Sequence, residues 1–99
     1  MSKTEAMILN LLQEWGMQYG LEIVERSDGQ IKKGTVYVLL QRLEERGLVA
    51  SEQERMPRGI SLLPRRYYCI TAGGVDLLQL HERVKRKEQL VRETYGVAK

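Results

Sequence analysis

The chain has 99 residues, 42% of them hydrophobic and 29% charged, and a net charge of +3. That length supports one hydrophobic core and not two, and the mild basic excess suits an anionic partner without requiring one. The single cysteine, Cys69, and single histidine, His81, exclude an internal disulfide and a structural zinc cage, and no apolar run approaches the about 20 residues that span a bilayer, so a cytoplasmic protein without metal, cofactor or membrane contact is expected.

Ser2 followed by Glu5 has the spacing of a capping box, which predicts a first helix with an apolar stripe of Met7, Ile8, Leu11, Leu12 and Trp15, ended by Gly16. A second, short helix is predicted from Tyr19 to about Arg26, with Leu21, Ile23 and Val24 apolar and Asp28-Gly29 as the closing turn. The third helix runs from Lys32-Lys33 to the stop at Gly47. At about 100° per residue, Val36, Leu39, Leu40 and Leu43 share one face, while Thr35, Val38, Gln41, Arg42 and Glu45 share the other. After Val49 the period changes to two, and segments 49–55 and 65–71 read as paired strands around a loop containing Pro57, Gly59 and Pro64. Thr71 then caps a last helix whose stripe, Leu77, Leu80, His81, Val84, Val91 and Tyr95, covers about 25 residues or ~37 Å.

Three helices, a two-stranded β-hairpin and a long helix make a mainly α (α+β) chain with the order of a winged helix-turn-helix, in which the third helix enters the major groove and the hairpin forms the wing. Residues 1–71 form the DNA-binding unit and 72–99 a dimerisation helix, within one compact domain. The third helix by itself is ambiguous, since an ordinary amphipathic helix also has a mixed exposed face. Its neighbours favour DNA: between Arg55 and Arg66 stand four arginines, Arg55, Arg58, Arg65 and Arg66, and no acidic residue, a density that phosphate neutralises. A merely solvated loop is the bland alternative.

Roles follow from side-chain chemistry. Lys32 and Lys33 open the third helix, where cationic side chains and free backbone N–H groups clamp phosphate, with Thr35 beside them. Val38, Gln41 and Arg42 are the candidates for base reading, through methyl contact, an amide paired with adenine and a guanidinium fork on guanine. Tyr37 lies on the helix flank, either with its hydroxyl on a phosphate or as a core tyrosine. Arg58, Arg65 and Arg66 serve the wing, and Glu44 and Glu45 should face away from phosphate. The last helix has more apolar stripe than a small domain can cover, so a second copy of the chain is expected over Leu77, Leu80, His81, Val84, Val91 and Tyr95; packing on its own core is the alternative. Trp15 is either core or the contact for a flat aromatic effector. No glycine-rich phosphate loop, acidic metal cluster or nucleophile–base pair suggests an enzyme; the competing function is a winged-helix protein-interaction module without operator binding.

Several of these motifs together resemble the PadR-like winged-helix transcriptional regulators. The resemblance rests on Gly34-Thr35-Val36-Tyr37, Leu39-Leu40-Gln41-Arg42-Leu43 and Gly47-Leu48-Val49 in the third helix, on Arg66-Tyr67-Tyr68-Cys69-Ile70-Thr71 with Gly73-Gly74 after it, and on Ile8-Leu9-Asn10-Leu11-Leu12 and Tyr19-Gly20-Leu21-Glu22-Ile23 before it. It implies a homodimeric repressor of a palindromic operator that releases DNA when a small, often aromatic, effector binds near the dimer interface. The chain departs from the family pattern at Val38, where many members carry proline, and in an apolar wing loop with Ile60, Leu62 and Leu63. Its single terminal helix is similar to the short form of the family, without a large C-terminal ligand-binding domain.

Overall fold

The computed structural model describes residues 1–55 and 64–95, with the backbone alone at Tyr95. Seven elements follow one another: α1 (Lys3–Trp15), β1 (Gln18–Tyr19), α2 (Gly20–Arg26), α3 (Lys33–Glu45), β2 (Val49–Gln53), β3 (Arg66–Ile70) and α4 (Ala72–Tyr95). Both ends of α1 follow local chemistry. The Ser2 hydroxyl accepts from the Glu5 N–H at 3.1 Å while the Glu5 carboxylate accepts from the Ser2 N–H at 3.0 Å, and Gly16 leaves the helix at φ 78°. Ser2 donates its backbone N–H to Glu5, which with the nearby Arg46 holds that carboxyl below the usual carboxylate range.

The α2–α3 turn is closed by a buried serine. Ser27 Oγ donates to the Val24 carbonyl at 2.7 Å and accepts from the Ile31 N–H at 3.0 Å, while Asp28 (φ 54°) and Gly29 (φ 82°) reverse the chain in left-handed conformation. At the far end of α3, the Leu48 N–H bonds the Leu43 carbonyl and the Gly47 N–H bonds the Glu44 carbonyl, both at 2.9 Å, with Gly47 at φ 75°. This is a Schellman termination, and it turns Leu48 back into the core.

The core forms where α1, α2, α3, the sheet and the first turns of α4 meet. Ile8, Leu9 and Leu12 from α1, Ile23 from α2 and Val36, Leu40 and Leu43 from α3 are fully enclosed together with Leu78 of α4. The buried face of α3 is the one its periodicity predicts. On α1 the buried set also includes Ala6 and Leu9, outside the predicted stripe, whereas Trp15 is 57% exposed. Trp15 therefore is not core: the buried face of α1 is turned toward Ala6 and Leu9, which leaves Trp15 at its edge in the last turn. Leu21, expected as part of the apolar face of α2, is exposed because it lines a cleft described below.

The sheet has three strands in the order β1-β3-β2, all antiparallel. The predicted hairpin is present, in register Val49↔Ile70 through Gln53↔Arg66, and is shorter than 49–55 and 65–71 because regular pairing stops at Gln53 and Ile70. The two-stranded expectation is corrected by β1, with Gln18↔Tyr68 and Tyr19↔Tyr67 paired; Tyr19 is a strand residue and N-cap of α2, not its first helical residue. Gln18 is 1% exposed, and its amide donates to the carbonyls of Leu11 (2.8 Å) and Gly16 (3.0 Å) and accepts from Arg26 Nη1 (2.8 Å).

Thr71 caps α4 as expected, accepting from the Gly74 N–H at 3.1 Å and donating to the Gly47 carbonyl at 2.6 Å. Gly74 packs so closely that an added Cβ would lie 2.2 Å from the Leu48 carbonyl oxygen. Gly74→Ala is expected to destabilise the fold by about 2 kcal/mol or more, because backbone and not a pliable side chain must move. Gly73→Ala, where the nearest atom would be 3.4 Å away, should stay within about 1 kcal/mol of the parent. Equal denaturation midpoints for the two variants would contradict this packing.

Candidate nucleic-acid interface

The outward face of α3 is built by the same geometry that buries its inner face. Lys32 is the N-cap residue and Lys33 the first helical residue, so both cations sit where the helix presents free N–H groups. Lys32, Lys33, Thr35, Val38, Gln41 and Arg42 are all exposed. Among the described residues, ion pairs join Arg26 to Glu22 (3.7 Å) and Arg46 to Glu5 (3.4 Å), so neither α3 lysine nor Arg42 is neutralised within the chain. Gln41 donates weakly to Glu45 Oε1 at 3.3 Å. The first half of α3 is thus cationic, and both acidic residues lie at its end.

Glu44 has a structural partner. The Ser51 hydroxyl donates to both of its carboxylate oxygens, at 2.8 and 2.7 Å, and accepts from Arg66 Nη1 at 2.9 Å. A chain of polar contacts therefore runs from the wing arginine to the end of α3. Arg65, just before β3, lies over the Tyr19 ring with its guanidinium carbon 4.7 Å from the ring centre. Arg58 and the apolar wing residues Ile60, Leu62 and Leu63 fall outside the described residues.

Tyr37 is 47% exposed and so is not a core tyrosine. Its ring packs on the backbone of Gly20, where an added Cβ would meet Tyr37 Cε1 at 2.6 Å. The same ring lines a cleft of about 660 Å³ between the start of α2, α3 and the wing, with Tyr19, Tyr68, Leu21, Glu25, Arg65 and Arg66 among its other walls. The cleft brings Tyr37 of the helix together with Arg65 and Arg66 of the wing. Burial pushes the Tyr68 phenol above its ordinary value.

At the base of the wing the Tyr19 and Tyr67 rings stack with centres 4.2 Å apart and planes 24° from parallel. Their hydroxyls share a hydrogen bond, and the Tyr19 hydroxyl donates to Glu54 Oε1 at 2.7 Å. These bonds to Tyr67 and Glu54 raise the Tyr19 phenol, and the Tyr19 hydroxyl lowers the Glu54 carboxyl. Sequence reasoning missed this cluster, since Tyr19 and Glu54 are 35 residues apart and come together only because β1 and β2 both pair with β3.

The expected dimer residues all lie on α4. Leu77 and His81 are half-buried against the domain, Leu80, Val84 and Val91 are exposed together with Leu90, and the side chain of Tyr95 lies outside the described residues. Trp15, read from the sequence as either core or an effector contact, is overlain by the Arg26 guanidinium at 4.9 Å and does not line the cleft. No group of metal-binding side chains occurs among the described residues, and no described helix is long and apolar enough to cross a membrane.

A sequence-family model described as the transcriptional regulator PadR-like family matches residues 8–80. No curated protein matches the sequence. Among solved structures, a PadR family transcription regulator from Clostridium difficile R20291 superposes with a TM-score of 0.77 at 25% identity, over 97% of this chain and 100% of the other. A transcriptional regulator from Clostridium thermocellum gives 0.66 at 30% identity, over 91% and 90% of the two chains. At 22% identity, a likeness of fold alone, BpsR from Bordetella bronchiseptica gives 0.69 over 100% and 68%.

Gly20→Ala tests the contact between α2 and Tyr37. The methyl group collides only with the end of a half-exposed ring, so the variant should fold with a stability change below about 1 kcal/mol while the Tyr37 ring resonances shift strongly. Unmoved Tyr37 resonances would show that the ring does not rest on Gly20.

Proposed function

This chain belongs to the transcriptional regulator PadR-like family, and from that membership we propose that it binds duplex DNA sequence-specifically as a homodimeric repressor. The observation that carries the proposal is the outward face of α3: Lys32, Lys33, Thr35, Val38, Gln41 and Arg42 are exposed together, the cations among them have no internal ion pair among the described residues, and the wing arginines Arg65 and Arg66 flank the same side through the shared cleft. Lysines at the helix start and arginines on the wing anchor phosphates, which positions Val38, Gln41 and Arg42 for base edges. The protein therefore acts where the chromosome is, in the cytoplasm, as a binding protein and not an enzyme. Occupying an operator excludes the transcription machinery, so repression is the simplest consequence of binding.

Dimerisation is supported by the exposed apolar residues of α4, Leu80, Val84 and Val91, on a helix whose later turns leave the domain. A second copy is the natural cover for such a stripe. Two-fold symmetry then sets two α3 helices on half-sites about one DNA turn, ~34 Å, apart and makes the operator palindromic.

An effector reading is favoured by one observation, the cleft lined by Tyr37, Arg65 and Arg66. A volume of about 660 Å³ is within the range of small-molecule sites, and an occupant would draw on residues that DNA also needs. BpsR, whose DNA binding is regulated by 6-hydroxynicotinic acid, provides a parallel within the same fold.

Selection from a random duplex pool at low salt should recover a palindromic sequence, with affinity that falls steeply as salt rises. Arg42→Ala should relax preference at one base position by about 1–3 kcal/mol, whereas Lys33→Ala should weaken all sequences alike and reduce the salt slope by about 1. Failure to enrich any sequence would favour the protein-interaction module instead. Sedimentation should show a dimer at micromolar concentration that Val84→Glu converts to a monomer; a monomeric parent chain would remove the two-fold model.

A further inference from the structure

The cluster at the base of the wing carries an inference that rests on the DNA-binding reading and extends it to residues outside the interface. We propose that Tyr19 is a positioning residue for DNA binding, a platform whose ring holds the Arg65 guanidinium in place for a phosphate, and that Glu54 holds the platform.

The Tyr19 ring makes three contacts that together restrict it. It stacks on Tyr67, its direct cross-strand neighbour; its hydroxyl is tied to Tyr67 and to Glu54 Oε1; and it lies 4.7 Å beneath the Arg65 guanidinium carbon. Glu54 reaches the same point from the opposite strand. Its backbone N–H donates to the Arg65 carbonyl at 2.7 Å and its carboxylate is 3.4 Å from the Arg65 N–H, so it fixes the backbone of Arg65 as well as the ring beneath the side chain. An unsupported exposed arginine samples many rotamers, all but a few of which are lost when it binds a phosphate. An arginine held over a ring has lost part of that freedom already, and a cation–π contact uses none of its N–H groups as hydrogen bonds, so they remain to bond phosphate oxygens. Glu54 carries negative charge close to a group meant for an anion, and its hydrogen bond from Tyr19 occupies that charge locally.

A double-mutant cycle tests the proposal with a labelled random-sequence duplex of about 30 base pairs at low salt, which reads phosphate contacts without a known operator. Arg65→Ala and Tyr19→Leu should each weaken binding by about fivefold and flatten the salt slope by about one charge, and the double variant should be no weaker than Arg65→Ala alone. Tyr19→Phe keeps the ring and should stay within about twofold of the parent, while Glu54→Gln, which still accepts from Tyr19, should bind as well or better. Additive losses, or a Tyr19→Leu variant with the parental salt slope, would overturn the proposal. In the free protein the Arg65 side-chain resonances should lose their ring-current shift in Tyr19→Leu. That measurement needs no DNA: an unchanged shift refutes the platform whether or not the chain binds a duplex, whereas a parent chain that binds no duplex refutes the DNA reading.

Discussion

The relation between α3 and the wing depends on two residues of extended chain, Gln18 and Tyr19. Their pairing with Tyr68 and Tyr67 joins the sheet to the helical body, and Gln18 anchors that junction through an amide that is almost wholly removed from water. Both functional groups of the amide are used, toward Leu11 and Gly16 on one side and Arg26 on the other. Leaving such groups unpaired in the interior costs about 1–3 kcal/mol each, so the bonds specify one arrangement of α1, β1 and α2. With that arrangement set, Tyr19 meets Tyr67 and Glu54, and Arg65 lies over the Tyr19 ring.

The electrostatics of the interface have a corresponding order. Cations and free N–H groups are concentrated at the beginning of α3, and the acidic residues at its end stay exposed, Glu44 held by Ser51 and Glu45 only weakly bonded by Gln41. Glu44 is thus more than a residue kept away from phosphate. Through Ser51 it steadies Arg66, and this places an anion at the root of the wing while its arginines face the cleft.

The sequence was most legible where a local rule and a tertiary one coincide. Ser2 with Glu5, Gly47 after α3 and Thr71 before α4 each satisfy backbone groups within a few residues, and the α3 stripe has both a clear period and a core to meet. Periodicity defines a face but not how far the core extends along it. The later α4 residues stand in solvent because that helix runs on past the domain, and Trp15 does so because the buried face of α1 is turned toward Ala6 and Leu9. The strand at Gln18–Tyr19 is too short for any period, and Gln18 was invisible as a core residue because a polar amide is buried only where distant carbonyls await it. Of the candidate interface, the exposure of the α3 residues was readable, while the Tyr19–Glu54 contact depends on strand pairing over 35 residues and left no signal in either neighbourhood.

The union of α3 with α4 has a mechanical side. The Gly47 carbonyl accepts from Thr71, the Thr71 N–H bonds the Leu48 carbonyl at 3.1 Å, and Gly74 rests against that same carbonyl with no room for a methyl group. A joint so tightly bonded transmits torque. Helix α4 has 24 residues, about 36 Å at 1.5 Å each, so a tilt of about 5° about this joint moves its far end about 3 Å. Whatever grips the far end of this arm pulls with that leverage on the turn that ends α3.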